Sequence, residues 1–510
     1  MNDPNGLVVS GKPGNQTIHL YYQYNPTNIV AGNQHWGHAT SKSFKSYSWE
    51  NHLPALAPAD SSEGIFSGSS VIDRNNTSGF FDDSTEPEDR IVAIYTYYTS
   101  KEQSQHVAYS TDGGYNFTKY ENNPVLRNQG KYQTQFRDPK VFWDEAHSQW
   151  VMAVAHSQEY QIGFYTSKDL KGWREGSRFG PAGMIGSQYE CPALFQAPYV
   201  GGPRDGDKGW ILLISINPGA PFGGSATQYM VGEWDGKTFT AHDAIVRLAD
   251  FAKDWYAAQT WDNTNASEPP VIIGWASNWQ YTNVVPTSPW RSVMSVPRQV
   301  TLQYSSLNSL NSSYKMAMMP FNTSDVTSDR LLSSRDMQSN KTVELSGDGA
   351  FEIDLSLTMT PEAYANATTA SFVELYIHAG GQEESSSLTK NYLRVGIIGG
   401  ESGAAYVDRR FAGGEWADSN PLFTDRFSTY VEPLHEEGKD GSTPKVWRYT
   451  VKVLVDRSVS EVFVNGGIES ATVLHYWEGE AKPSHVEIKV GDDLVKLESL
   501  SIKRLRSGWN

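Results

Sequence analysis

The sequence predicts an all-β chain, a five-bladed β-propeller followed by a C-terminal β-sandwich. Three observations carry this reading. Short apolar or alternating runs recur along the chain, and helical periodicity is nearly absent. Gly, Pro, Asn and Asp clusters bound these runs, in a chain with 44 Gly and 25 Pro. Carboxylates also stand beside prolines, at Asp3-Pro4, Asp138-Pro139 and Glu190-Cys191-Pro192. Proline is excluded from central strands but tolerated at an edge. A carboxylate at the mouth of an edge strand, seen repeatedly, suggests radial sheets whose innermost strands face a shared channel.

Strands are expected at residues 18–24, 91–98, 141–155, 209–216 and 271–276. Asp112-Gly113-Gly114 and Asp235-Gly236 suit hairpin turns. Phe66-Ser67-Gly68-Ser69 and Lys253-Asp254-Trp255-Tyr256 add two innermost segments to the three carboxylate sites. The five then begin near residues 3, 67, 138, 190 and 254, which fits five four-stranded blades, although no strict repeat sequence accompanies the spacing. Residues 305–345, rich in Ser, Asn and Thr, are expected to be a linker packed along a neighbouring domain. Alternation resumes at 351–357, 392–398, 447–455, 460–464 and 485–490, and predicts the sandwich. Residues 382–387 and 435–443 read as loops. The expected division is 1–304 propeller, 305–345 linker and 346–510 sandwich.

Composition narrows the function. Net charge is −16, and so acidic a surface repels phosphate backbones, which argues against nucleic acid as a partner. Mean hydropathy is −0.50 and no apolar run reaches the ~18 residues of a membrane helix. The single cysteine, Cys191, leaves no intramolecular disulfide and no cysteine-based metal site. Asn-x-Ser/Thr sequons at Asn15, Asn75, Asn76, Asn116, Asn265, Asn311, Asn322, Asn340 and Asn366 point to a secreted, N-glycosylated protein. His35 and His38 are three residues apart, but they enclose Trp36-Gly37 without an acidic partner, so no zinc site is expected. The glycine-rich stretch 218–224 lacks Gly-Lys-Ser/Thr and reads as a loop rather than a phosphate cradle. Cys191 reads as a small buried filler.

Taken singly, the acidic motifs have plain structural readings. Asn2-Asp3-Pro4-Asn5-Gly6 is a good turn, Arg137-Asp138 an ion pair at a strand start, and Glu190 a buried hydrogen-bonded acid. Together they supply what glycoside cleavage needs. One carboxylic acid protonates the leaving oxygen, and one carboxylate stands on the opposite face of the sugar. A third can hold hydroxyls and offset transition-state charge. Gln23, Asn25, Trp36, Ser67, Trp279 and Trp290 offer the amides, hydroxyls and flat rings that suit a sugar.

The motifs then carry a resemblance. Met1-Asn2-Asp3-Pro4-Asn5-Gly6, Gln23-Tyr24-Asn25-Pro26, Trp36-Gly37-His38-Ala39-Thr40, Phe66-Ser67-Gly68-Ser69, Gln135-Phe136-Arg137-Asp138-Pro139-Lys140, Tyr189-Glu190-Cys191-Pro192, Ile216-Asn217-Pro218-Gly219-Ala220 and Trp275-Ala276-Ser277-Asn278-Trp279 stand in one order. With Val455-Asp456-Arg457-Ser458 and 461–466, the chain resembles glycoside hydrolase family 32, the β-fructofuranosidases, most closely secreted fungal invertases and exo-inulinases. The resemblance implies Asp3 as nucleophile, Glu190 as acid/base and Asp138 as transition-state stabiliser. It implies Arg137 as a substrate ligand that keeps neighbouring carboxylates ionised. Asn2, Gln23, Trp36, Ser67 and Asp254 would line the fructose pocket, with Trp279 close by. It also implies sucrose or fructans as substrates, and no metal or cofactor. Family members usually carry a stretch ahead of the first motif, so the numbering is expected to begin late. Transfer of fructose to a sugar instead of water uses the same intermediate and stays open, as does a homo-oligomer. More distant readings are an inverting arabinan-type hydrolase and a non-enzymatic sugar-binding propeller.

Overall fold

The computed structural model describes residues 1–308, 311–337, 340–345, 347, 349–380, 391–435 and 446–508. The expected loop at 382–387 lies outside the described residues, as does the one at 435–443 except for His435, which ends the short strand Leu434–His435.

Five antiparallel meanders build the N-terminal part. Blade I holds Pro4–Ser10, Thr17–Tyr24, His35–Ser41 and Glu50–Leu56 in that order. Blade II starts with Gly64–Ile72, blade III with Phe136–Asp144, blade IV with Tyr189–Val200 and blade V with Tyr256–Thr260. These five first strands contact one another in a closed ring. The ring shuts where Val8 of blade I bridges Asp262 of blade V, and Val9 N donates to Asp262 O at 3.1 Å. Apolar faces of successive blades pack together, as where Val151, Ala153 and Phe164 of blade III meet Leu194, Leu212 and Ile214 of blade IV.

One irregularity repeats around the ring. Each first strand carries one extra residue near its start: between Asn5 and Val8, Phe66 and Gly68, Arg137 and Lys140, Glu190 and Ala193, and Tyr256 and Gln259. Such a bulge bends the strand and re-aims its side chains. In four blades it holds a left-handed backbone, at Gly6 (φ +54°), Asp138 (+65°), Cys191 (+44°) and Ala257 (+52°). Only the first is glycine, and a Cβ there would fall 2.6 Å from the Trp36 ring. The three other sites place non-glycine residues in a conformation that costs about 1–2 kcal/mol each. Strain of that kind clusters at functional sites.

The expected linker is a correction. Residues 305–345 hold the end of strand Arg298–Asn308, the outermost blade V strand Asn311–Pro320, and two sandwich strands, Thr327–Met337 and Lys341–Glu344. Met316, Ala317 and Met318 are buried, Met316 and Met318 in the core of blades IV and V, so this polar stretch holds a strand covered on both faces at that point. The sandwich has two sheets. One runs Thr327–Met337, Lys496–Leu505, Ala350–Met359, Trp447–Asp456, Val459–Val464, Glu469–Leu474. The other runs Lys341–Glu344, Pro483–Val490, Phe372–Ala379, Tyr392–Ile398, Ala404–Phe411, Arg426–Tyr430. Ile353, Leu355, Leu375, Ile377, Val395 and Val453 fill the space between them.

Propeller and sandwich are joined by buried charge. Arg298, fully buried in blade V, donates to Glu461 Oε2 at 2.6 Å and to Thr472 Oγ1 at 2.7 Å. Val296 N donates to the other Glu461 oxygen at 2.7 Å.

Candidate active site

The starts of the five first strands bring their polar residues to one mouth of the ring. Asp3 directly precedes the first strand of blade I. Backbone pairing with Gln23 fixes it, since Gln23 N donates to Asp3 O at 3.0 Å and Asn2 N to Gln23 O at 3.1 Å. Ser67 Oγ of blade II donates to Asp3 Oδ2 at 2.7 Å, and Asn2 Nδ2 to Oδ1 at 3.2 Å. Both bonds hold the carboxylate at a set angle.

Glu190 is held from three sides. Arg137 reaches Glu190 Oε1 through Nη2 at 3.1 Å and Nε at 3.3 Å. Gln188 Nε2 donates to the same oxygen at 3.1 Å, and the Tyr256 hydroxyl donates to Oε2. The guanidinium is braced in turn by Gln135 Oε1 at 2.9 Å and Gln103 Oε1 at 3.3 Å.

Asp138 sits inside its bulge and is buried. Its backbone N donates to Thr96 Oγ1 at 3.0 Å, and its Oδ2 accepts Cys191 N at 2.9 Å. The Cys191 thiol lies 3.6 Å from Asp138 Oδ2 and 3.8 Å from Asp3 Oδ2, so the two carboxylates share one neighbour. The structure thus brings Asp3, Asp138, Glu190, Arg137, Asn2 and Ser67 together.

Burial governs the electrostatics. It pushes the Asp3 carboxyl up, opposed by the Ser67 hydrogen bond and assisted by the charge of Glu190. Burial also pushes Asp138 up, to about 7, against the pull of Arg137, while Glu190 and Asp3 add to the rise. Arg137 favours the ionised form of Asp138, but desolvation outweighs that one positive charge. The Cys191 thiol and Tyr256 phenol are pushed well above their ordinary values, chiefly by burial, and stay neutral.

Other expected pocket residues lie farther back. Gln23 is buried, with Nε2 donating to Ile65 O at 2.9 Å and Oε1 lacking a protein partner. Trp36 is buried in the core of blades I and II, its Nε1 donating to Phe66 O at 3.0 Å, so its ring backs the site. Trp279 is half-buried against Trp275, which neighbours Tyr256. Trp290 is 73% exposed. Asp254 is a correction. It is fully buried against the sandwich, with Arg409 Nη1 at 2.6 Å, and lines no pocket. The residue reaching the site from that segment is Tyr256, which sequence reasoning missed as a site residue. Its signal was positional, since it precedes the blade V bulge as Glu190 precedes that of blade IV.

Comparison with known proteins now decides the family. Residues 1–313 match the glycosyl hydrolases family 32 N-terminal domain, and residues 322–504 the glycosyl hydrolases family 32 C terminal. The chain belongs to glycosyl hydrolases family 32. This family 32 glycoside hydrolase is 39% identical over 509 residues to an extracellular exo-inulinase of Meyerozyma guilliermondii, covering 99% of this chain and 93% of that protein. It is 40% identical over 514 residues to an invertase of Debaryomyces hansenii, covering 99% and 91%. Among solved structures, a fructofuranosidase from Schwanniomyces occidentalis complexed with fructose superposes with a TM-score of 0.89 at 36% identity, covering 99% and 96%. An exo-inulinase from Aspergillus awamori gives 0.84 at 30% identity, covering 100% and 96%. As a family 32 enzyme of the β-fructofuranosidase type, the chain has the propeller and sandwich of these relatives.

Proposed function

We propose that the enzyme releases terminal β-D-fructofuranosyl residues from sucrose and fructans with retention, through a fructosyl-enzyme on Asp3. The observation that supports this best is the meeting of Asp3, Glu190 and Asp138 at one mouth, with Arg137 on Glu190. In the first step Asp3 Oδ attacks the anomeric carbon. The glycosidic C–O bond breaks as Glu190 gives its proton to the departing oxygen. In the second, Glu190 takes a proton from water, the water oxygen bonds the anomeric carbon, and Asp3 leaves as carboxylate. A sugar hydroxyl in place of that water gives a fructosylated product, so transfer accompanies hydrolysis at high sugar concentration. Asp138 holds sugar hydroxyls as charge develops, and Arg137 positions Glu190. The chain's own residues suffice for these steps.

Sucrose and fructans are supported as substrates by relatives named invertase and exo-inulinase. The name extracellular of one relative and the nine sequons support secretion with N-glycosylation. No helix among the described residues is long and apolar enough to cross a membrane. The test is the anomer formed first, read by NMR during hydrolysis, together with peptide mapping after trapping with a slow-leaving fluorinated fructoside. Net retention with the label on Asp3 is expected. Inversion, or a label elsewhere, refutes the mechanism. Products from sucrose and inulin at low and high concentration give the ratio of hydrolysis to transfer.

A further inference from the structure

The segment that ends in Tyr256 is held by the second domain. Strand Glu469–Leu474 of the sandwich lies along residues 250–254. Phe251 N donates to Ser470 O at 2.8 Å and Asp254 N to Thr472 O at 3.2 Å. Asp250 accepts Thr472 N at 3.0 Å and Thr472 Oγ1 at 2.8 Å. At the end of this seam Asp254 accepts Leu474 N at 2.8 Å, the Tyr281 hydroxyl, and Arg409 Nη1 at 2.6 Å. Both ion-pair partners are fully buried.

Arg409 is held in turn at all three of its nitrogens. It donates to Leu474 O at 2.8 Å, to Thr424 O at 2.7 Å and to Tyr281 OH at 3.3 Å, and its guanidinium lies 3.6 Å from the Phe423 ring centroid. A guanidinium bonded through all three of its nitrogens is held in one orientation, and it fixes Asp254 in one place. Two residues on, with only Trp255 between, the Tyr256 hydroxyl donates to Glu190 Oε2. Trp255 cannot absorb a shift. It is buried under Arg298, its Nε1 donates to Ser295 Oγ at 3.2 Å, and Gly274 packs against its ring. Displacement at Asp254 is therefore transmitted to the phenol.

We propose that Arg409 of the sandwich is a positioning residue for Glu190, holding Asp254 and so setting the phenol of Tyr256 on the acid/base carboxyl. The second domain then takes part in the reaction at a distance, through one buried ion pair. The inference rests on the acid/base reading of Glu190.

The test is Arg409→Lys, which keeps the charge but loses the fork, made in wild-type and Tyr256→Phe enzyme. A second variant, Arg409→Met with Asp254→Asn, removes both charges so that neither is left buried alone. For each, kcat/KM is measured against pH on sucrose and on an aryl fructoside with an acidic leaving group, beside the thermal midpoint. A donor to a carboxylate favours its ionised form, so losing the Tyr256 bond moves the alkaline limb to higher pH. Tyr256→Phe is expected to show that shift, with a loss on sucrose of about tenfold, a fraction of the ~10²–10⁴ general acid catalysis supplies. Arg409→Lys should reproduce both, spare the aryl fructoside, and add nothing in the Tyr256→Phe background. An unmoved limb, equal loss on both substrates, or losses that multiply with Tyr256→Phe overturns the proposal. Unfolding of both Arg409 variants while Tyr256→Phe folds also overturns it, leaving the pair a purely structural one. Glu190→Ala separates the two readings. If its loss ignores the leaving group, the acid/base assignment fails. If it follows the leaving group while the Arg409 variants behave as wild type, only the positioning role fails.

Discussion

Replacing Asp138 by Asn should separate stability from catalysis. In the folded enzyme this carboxyl titrates at about 7 instead of 3.8, with burial the largest cause. Between those values the folded chain binds the proton and the unfolded chain does not, so stability rises as pH falls from 7 to 3.8. Above pH 7 the wild type carries the full penalty, at ~1.4 kcal/mol per pH unit about 4 kcal/mol in all. Asn cannot ionise, and its carbonyl can keep the 2.9 Å bond from Cys191 N. Arg137 loses one nearby negative charge, which takes back part of the gain. The variant should thus be more stable than wild type by roughly 2–4 kcal/mol near pH 8 and show no advantage near pH 4. Urea unfolding at both pH values reads this directly. In the same samples kcat should fall for every substrate with little change in KM, the pattern of an interaction made in the transition state. A variant less stable at both pH values, or one whose loss lies in KM, refutes the reasoning.

Glu190→Ala should lose ~10²–10⁴-fold on sucrose but far less in the first step with an aryl fructoside. Added azide should then speed turnover, and equal loss on both substrates with no azide effect contradicts the role. The histidines of blade I predict acid lability. Burial lowers His19 to about 3 and His38 to about 2, and the two share a 3.0 Å hydrogen bond. The unfolded chain protonates them first, so stability is full above about pH 6.5 and is lost below it at ~1.4 kcal/mol per pH unit for each. His38→Gln should flatten the fall in unfolding free energy between about pH 6.5 and 4, and an unchanged slope counts against this account.

Much of the chemistry was legible because it is carried by residue type. Carboxylates beside prolines marked the first strands, and Asp3, Asp138, Glu190 and Arg137 do meet. What the sequence hid is register. A bulge adds one residue to a strand and turns its side chains, yet leaves no trace in composition. Asp254 stood at the right spacing and was read as a pocket residue, but the bulge that aims a side chain inward follows Tyr256 two positions later. Composition also misled at 305–345. Ser, Asn and Thr crowd those strands around the buried Met316, Ala317 and Met318, and so polar a stretch reads as a linker when its partner strand is unknown. Trp36 illustrates a third limit, since a ring suited to stacking on sugar is equally suited to a core.

The channel's charge balance leads to a last prediction. Three carboxylates face one guanidinium, and the nearby thiol and phenol stay neutral. The first step needs Asp3 ionised and one proton in the cluster for Glu190 to give. Because burial raises Asp3, the acid limb of kcat/KM lies above the ordinary aspartate value of 3.8. The rise of Asp138 to about 7 means the cluster keeps its proton to near neutrality, and in coupled sites that proton belongs to the group as a whole. The profile on sucrose should be bell-shaped with its optimum between these limits. Ser67 provides the sharper check. Its 2.7 Å hydrogen bond is the largest influence opposing the rise of Asp3. Ser67→Ala should move the acid limb to higher pH and leave the alkaline limb in place. A profile flat from roughly pH 3 to 8, or a Ser67→Ala variant that moves only the alkaline limb, would mean that Asp3 is not the group whose ionisation starts the reaction.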